Sequence, residues 1–504
     1  MTSPVPPERY LSDAAHYPGG HAAAVVVPRG VDDVPAIVRE ARTLLAVGAQ
    51  SSLTGGATPM GETVLSTERL TRILDIGPSS IRVEAGVTVA AMQEALASHG
   101  AWFPPAPTFT GAFAGGIVST NAAGAATFRH GAVRPWVDAL TIVLADGSPL
   151  TVRRGEIRAR DGVLRVPVAR GSRDVPVPTY RMPGVVKVSA GYYAAPGMDL
   201  IDLFVGSEGT LGVITTVTFR TLSPVPVTAL ALVPVRSERA AIAVVSDLRR
   251  EASVAAIEHM DARCLEILRE DGADRRSDVT FPEGTALALL VQIELPAGTT
   301  EASAREAIEA SDRGGTPLAR VCRVLDAHGV FDDTEVALPG HARRAEQLVA
   351  LREAVPSGVN QRVGRAQREI DGRIAKTAAD MIVPFERFGE MLAIYREGFA
   401  ARGLDAAVWG HISDGNVHPN VLPRSYDEVA RGKDAILFFG REAARLGGCP
   451  LAEHGVGRNP VKQKLLRELY GDRGLDEMRA VKRALDPTGK LAPGVLFESL
   501  IPNP

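Results

Sequence analysis

Trp409-Gly410-His411-Ile412-Ser413-Asp414-Gly415-Asn416-Val417-His418-Pro419-Asn420 is the stretch on which the reading of this chain turns. Asp-Gly between apolar flanks predicts a two-residue hairpin turn, because both central residues must accept a positive φ. That turn would pair Ser413 with Asn416, Ile412 with Val417, and His411 with His418. Directly opposed residues of such a pair lie about 5 Å apart at Cβ, so both imidazoles and Asn416 share one face. Two imidazoles so placed can hold one divalent metal if further ligands arrive. Glu453, in Ala452-Glu453-His454-Gly455-Val456-Gly457, offers a carboxylate oxygen. Two nitrogens and one carboxylate, with an open position, form the pattern of a catalytic metal site. The same residues also fit hydrogen-bonded sheet histidines beside an unrelated loop histidine, and the spacing alone leaves both readings open.

The chain has 504 residues, enough for two or three domains. Lys and Arg number 56 against 59 Asp and Glu, a net charge of −3 that gives no general bias toward nucleic acid or an acidic membrane. Cys264, Cys322 and Cys449 are far apart, which excludes a C-x-x-C pair and a self-contained iron–sulfur site and fits a reducing compartment. The N-terminus has no basic segment followed by an apolar core, and no apolar run approaches the roughly 20 residues that span a bilayer. The expectation is a soluble, cytoplasmic protein, with attachment to the periphery of the inner membrane also allowed.

Taken in order, Ala22–Val27 reads as a strand and Val34 to Leu45 as a helix with Pro35 in its first turn. Ser51-Ser52-Leu53-Thr54-Gly55-Gly56-Ala57 presents backbone N–H groups that suit a pyrophosphate, or else a surface turn. Ile81–Ala85 is a strand, and Thr88 caps a helix that Gly100 ends. The proline run 104–107 leads into Gly111 to Gly124, where glycine and alanine admit either a ligand or a tightly packed helix. Ala139–Leu144, Asp146-Gly147 and Leu150–Val152 form a hairpin. Val205-Gly206-Ser207-Glu208-Gly209-Thr210-Leu211-Gly212 feeds the alternating strand Val213–Arg220, which Ser223-Pro224 ends. No glycine run is a G-x-G-x-x-G between strand and helix, so a Rossmann site is not supported.

Beyond that boundary helix and strand alternate as in an α+β sheet layered with helices. Helices are expected at Ala240–Glu251, Thr300–Ser311, Ala342–Ala354 and Glu386–Ala401. Strands are expected at Ala286–Leu295, Leu318–Leu325, Asp380–Pro384 and Ala407–Ile412. The Arg-rich Gln361–Lys376 reads as a solvated loop, and a last helix lies around Leu475–Leu485.

These motifs resemble, nearly end to end and in order, the FAD-linked D-2-hydroxyacid dehydrogenases and glycolate oxidase D-subunits of the vanillyl-alcohol oxidase / p-cresol methylhydroxylase superfamily. Ser51 to Gly56 is similar to the first flavin pyrophosphate loop. Gly115-Gly116-Ile117-Val118-Ser119-Thr120-Asn121-Ala122-Ala123-Gly124 is similar to the second. Gly206 to Gly212 is similar to the family's G-S-E-G-T-L-G, and His411-x6-His418 and Glu453-His454-Gly455-Val456-Gly457 are the most specific matches. Val47-Gly48-Ala49-Gln50 departs from the usual Arg-Gly-x-Gly, His130-Gly131 replaces a tyrosine before glycine, and Ala492 replaces an asparagine before Pro493-Gly494.

The resemblance implies a two-subdomain FAD-binding domain (1–222) and an α+β, ferredoxin-like cap or substrate domain (223–448). A C-terminal segment (449–504) would return to the flavin. It implies non-covalent FAD held by Ser51, Ser52, Leu53, Thr54, Gly55, Gly56, Gly115, Gly116, Ser119, Thr120, Asn121, Gly124, Glu208, Gly209, Gly212, Val213 and Ile214. A divalent metal (Zn, Mn or Fe) would sit on His411, His418 and Glu453, with His454 as base and Arg352, Lys376 and Asn416 on the substrate. The implied reaction is oxidation of a D-2-hydroxy acid of the lactate, glycolate or 2-hydroxyglutarate type to the 2-oxo acid. Electrons would pass to a quinone, an electron-transfer flavoprotein, a cytochrome or oxygen, and a homodimer is compatible. The alternatives are a flavoenzyme acting on another alcohol, a non-catalytic flavin-binding subunit, and a metal-dependent hydrolase that leaves the flavin loops unexplained.

Overall fold

The computed structural model describes residues 8–105, 107–169, 171–310 and 314–498; the N-terminal segment 1–7, Ala106 of the proline run and Ser311 of the expected helix lie outside them. Strands and helices alternate through two compact units. The first comprises Met1–Gly124, Gly131–Pro224 and Leu451–Pro504; the second comprises Ala125–His130 and Val225–Pro450. Among the described residues no helix is long and apolar enough to cross a membrane.

In the first unit Ala24–Val26, Thr63–Ser66 and Leu44–Val47 form a parallel three-stranded sheet. The helix begun at Val34 ends at Glu40 rather than running through Leu45, because Ala41 turns extended (φ −64°, ψ 132°). Leu44 and Leu45 are buried as a strand beside Thr63 and Val64, where both faces of a short apolar run are covered. A second, antiparallel sheet orders Ile73–Gly77, Ser80–Glu84, Val213–Arg220, Val137–Val143 and Pro149–Arg153. Its central strand Val213–Arg220 has the expected bounds and buries Val213, Val217 and Phe219. The expected cap is present: Thr88 Oγ1 accepts from Ala91 N at 3.1 Å and starts the helix Val89–Ala97.

The second unit is built on an eight-stranded sheet. Its order is Glu335–Ala337, Val227–Val235, Leu287–Leu295, Val254–Met260, Ala406–His411, Asn416–Val421 and Thr377–Ala378, with Met381–Ile382 also pairing Asn416–Val421. Two expectations fail here. Leu318–Leu325 lies in the helix Pro317–Ala327, which Thr316 caps and Pro317 opens. Its buried Leu318, Val321, Cys322 and Leu325 follow i, i+3, i+4, i+7, a period that a strand cannot bury on one face. The helix begun at Ala342 runs on to Glu369, through most of the Arg-rich stretch expected as a loop. Val355, Val359, Val363 and Ala366 continue its buried stripe, and Arg362 pairs with Asp271 at 2.8 Å.

Candidate active site

The histidine hairpin differs from the expected one in its turn. Ile412–Asp414 wind into a 3-10 turn and only Gly415 has a positive φ (82°), so the loop is Ile412 to Gly415. His411 therefore faces Asn416, and His418 faces Trp409, two residues along. Asp414 keeps a helical conformation and its Oδ1 accepts from Asn416 N at 3.2 Å, which a type I′ turn would forbid. The imidazoles remain on one face as diagonal neighbours, perpendicular, with ring centroids 5.4 Å apart. Gly415 is required: a Cβ there would stand 2.2 Å from the Val383 carbonyl oxygen.

Sequence reasoning missed Glu258, on the adjacent strand directly opposite His411. Its Oε1 lies 2.7 Å from His411 Nδ1, and its Oε2 accepts from Arg352 Nε and Nη2 at 3.0 and 2.9 Å. Burial pushes the Glu258 carboxyl pKa up, but the Arg352 and His411 charges and hydrogen bonds outweigh it and hold it well below the usual range. An ionised carboxylate only accepts, so His411 Nδ1 carries a proton toward it, and in the neutral ring Nε2 is the nitrogen left to bind a metal. A carboxylate that orients a histidine in this way is the usual support for a metal ligand. The lack of alternation along Val254–Met260 hid the signal, since every residue of that strand is buried.

Arg352, expected on a substrate carboxylate, is buried and also reaches Glu353 at 2.9 Å. Asn416 is fully buried, and its Nδ2 donates to the Met381 carbonyl at 3.0 Å. Lys376 is exposed beside the strand Thr377–Ala378, yet desolvation by the surrounding protein lowers its ammonium pKa. His130 Nε2 lies 2.7 Å from Glu294 Oε1 within the second unit.

In the first unit, the residues of the three glycine-rich motifs surround a cavity of about 320 Å³. Ser51 to Thr54, Gly56, Gly115, Gly116, Ser119, Thr120, Glu208, Gly209 and Gly212 to Ile214 all line it, and so do Glu453 and His454. Three expected residues do not. Gly55 (φ +76°) turns the first loop against Tyr17, whose ring a Cβ would meet at 2.6 Å. Asn121 (φ 48°) accepts from Arg134 N at 2.9 Å, and Gly124 ends this part of the unit. Gly116 and Gly209 border space in which a Cβ would meet no protein atom within 4 Å. Small, open, backbone-lined walls of this kind fit the pyrophosphate and ring system of a dinucleotide. At the departure before the first loop, Gln50 takes φ 52° and its Nε2 reaches the carbonyls of Tyr10, Ser12 and Ala57 at 3.0 to 3.2 Å.

His454 stands between two anchored stretches of chain. On one side Lys187 Nζ donates to Glu453 Oε1 at 2.7 Å, and Ser189 Oγ donates to the Glu453 carbonyl at 3.3 Å. Lys187 is fully buried and was also missed; a single lysine inside the apolar Val185-Val186-Lys187-Val188 was the available signal. On the other side Val456 N and Gly457 N donate to the two oxygens of Glu208, each at 2.8 Å. Burial pushes the Glu208 carboxyl up to about 7, against those two hydrogen bonds, although the residue keeps some exposure to the cavity. The His454 side chain is about one-third exposed, with Nε2 3.8 Å from Glu453 Oε2.

Residues 225–496 match the model of the FAD linked oxidases, C-terminal domain, and residues 22–153 match an FAD binding domain. The chain belongs to the FAD-linked oxidases and is a flavoenzyme of the oxidase and dehydrogenase type. It is 28% identical to a D-2-hydroxyglutarate dehydrogenase of Xanthomonas citri pv. viticola, covering 99% of this chain and 94% of the relative. It is 29% identical to glycolate oxidase subunit GlcD of Bacillus subtilis (94% and 88% covered) and 28% identical to a D-lactate dehydrogenase of Archaeoglobus fulgidus (94% and 91%). Among solved structures, alkyldihydroxyacetonephosphate synthase shares the fold at a TM-score of 0.59 and 14% identity, over 93% of this chain and 75% of that one.

Proposed function

We propose that this flavoenzyme oxidises a D-2-hydroxy acid of the lactate, glycolate or 2-hydroxyglutarate type to the 2-oxo acid. The observation that carries the reading is His454 lining the same cavity as the flavin-loop residues. FAD, held non-covalently, supplies the hydride acceptor. A divalent ion on His411, His418 and Glu453 supplies Lewis acidity toward the substrate oxygens; the Glu258-oriented imidazole and the buried carboxylate are suitable donors. His454 takes the hydroxyl proton as general base. Arg352 and Lys376 hold the carboxylate and orient the C–H bond, an alignment that contributes through proximity rather than bond chemistry, while the buried Asn416, spent on the Met381 carbonyl, supports the hairpin behind them. In this reading the segment 449–504 completes the active site of a two-subdomain flavin domain, and 223–448 is the substrate domain.

The test is the visible spectrum of the anaerobic holoprotein before and after D- and L-lactate, glycolate and D- and L-2-hydroxyglutarate. Bleaching by a D-acid or by glycolate is expected. Bound flavin that no acid reduces would sink the reading and favour another alcohol or a non-catalytic subunit.

A further inference from the structure

We propose that Glu208 is a positioning residue for His454, acting through the backbone of Gly455 to Gly457 rather than as a flavin ligand; this rests on the reading of His454 as the base. Both Glu208 carboxylate oxygens are occupied by the N–H groups of Val456 and Gly457 at 2.8 Å. Gly455, next to His454, has φ +73°, and a Cβ there would lie 2.8 Å from Glu208 Oε1, so the carboxylate packs onto that residue's Cα. Glu208 is itself fixed: it takes φ 51°, and its N donates to the Ser119 carbonyl at 2.8 Å.

The opposite face of the same loop rests on Thr54. A Cβ on Gly457 (φ +57°) would fall 2.2 Å from Thr54 Oγ1, and Arg458 N donates to the Thr54 carbonyl at 3.0 Å. The glycines of the E-H-G-V-G motif are thus explained by close approach to two cavity loops, with Glu208 the side chain that grips the loop by hydrogen bonds. Two parallel N–H···carboxylate bonds fix the plane of the peptide run immediately after His454. A catalytic group displaced by about 1 Å loses on the order of 100-fold in rate, so loosening this grip should act on the chemical step.

The experiment compares holoenzyme wild type, Glu208→Gln, His454→Ala and the double variant by anaerobic flavin reduction with the acid that reduces wild type. Flavin stoichiometry and amide hydrogen exchange of the peptide 452–460 are read alongside. Glu208→Gln is isosteric but turns one acceptor into a donor facing an N–H. It should retain flavin and acid affinity, lose about 10- to 100-fold in limiting reduction rate, and expose the Val456 and Gly457 amides to exchange. The rate effect should vanish in the His454→Ala background. Gly455→Ala, which leaves Glu208 intact and crowds it, should give the same pattern. Flavin loss in step with rate, unchanged exchange, or an equal loss in the His454→Ala background would each overturn the proposal. Equal rates for wild type and His454→Ala would sink the base itself, and the role of Glu208 with it. A slow His454→Ala beside an unimpaired Glu208→Gln would overturn the Glu208 role alone.

Discussion

Glu258 joins His411 to Arg352: one carboxylate oxygen lies 2.7 Å from the imidazole Nδ1, and the other takes two N–H groups of the guanidinium. The orientation of the candidate ligand and that of the candidate substrate arginine are therefore set by the same side chain. Glu258→Gln keeps the shape but gives up the charge that fixes the His411 tautomer. Affinity for zinc or manganese, measured by chelator competition, should fall about 10- to 100-fold. An unchanged affinity would remove Glu258 from the metal's support.

The Lys187–Glu453 pair is buried on both sides, with side-chain exposures of 0% and 6%. Removing one partner leaves an uncompensated charge, so Lys187→Met in metal-free protein should cost about 3–5 kcal/mol of unfolding free energy. Adding Glu453→Gln should restore most of that loss. A double variant no more stable than the single would show that the charge pair is not the source.

Burial holds the His259 imidazole pKa down at about 4, below its ordinary 6.5. Between these values the unfolded chain binds a proton that the folded chain does not, so stability falls as pH drops through the window. The full fall amounts to roughly 3 kcal/mol. His259→Leu should flatten the dependence of unfolding free energy on pH between 6.5 and 4 by about one proton. An undiminished slope would place the acid sensitivity elsewhere.

Gly415→Ala combines a left-handed φ of 82° with a Cβ aimed at the Val383 carbonyl. Stability should fall by about 2 kcal/mol or more, seen as a lower denaturant midpoint with unchanged m-value. A neutral substitution would mean the hairpin loop can reshape without cost.

Local signals were legible wherever one residue decides the backbone. Thr88 as a cap, Asp146-Gly147 as a turn and the bounds of Val213–Arg220 are all as read. The hairpin was legible as to strands and shared face but not as to register. Asp414 satisfied its side chain on Asn416 N and stayed helical, a local hydrogen bond that competes with the mirror-image turn. Leu318–Leu325 misled because a short apolar run suits strand and helix alike, and the capping Thr316-Pro317 was the overlooked arbiter. The partners of Glu258 and Lys187 were invisible for a different reason. Each matters through a partner more than 150 residues away in sequence, and no pattern along the chain records that distance.

Leu491 bridges to Leu44, with Ala492 N donating to the Leu44 carbonyl at 2.7 Å and Leu44 N to the Lys490 carbonyl at 2.8 Å. The first unit is thus assembled from residues separated in sequence by the whole of the second. During synthesis the second unit's residues all emerge before the first unit can receive the segment from Leu451 onward. The nascent flavin fold must therefore wait, with a sheet edge and a cavity wall missing, for more than two hundred residues to be translated. Ribosome-stalled chains ending near residue 450 should accordingly bind no FAD, and chains released only after the helix Pro460–Leu485 and Leu491 have cleared the exit tunnel should acquire it.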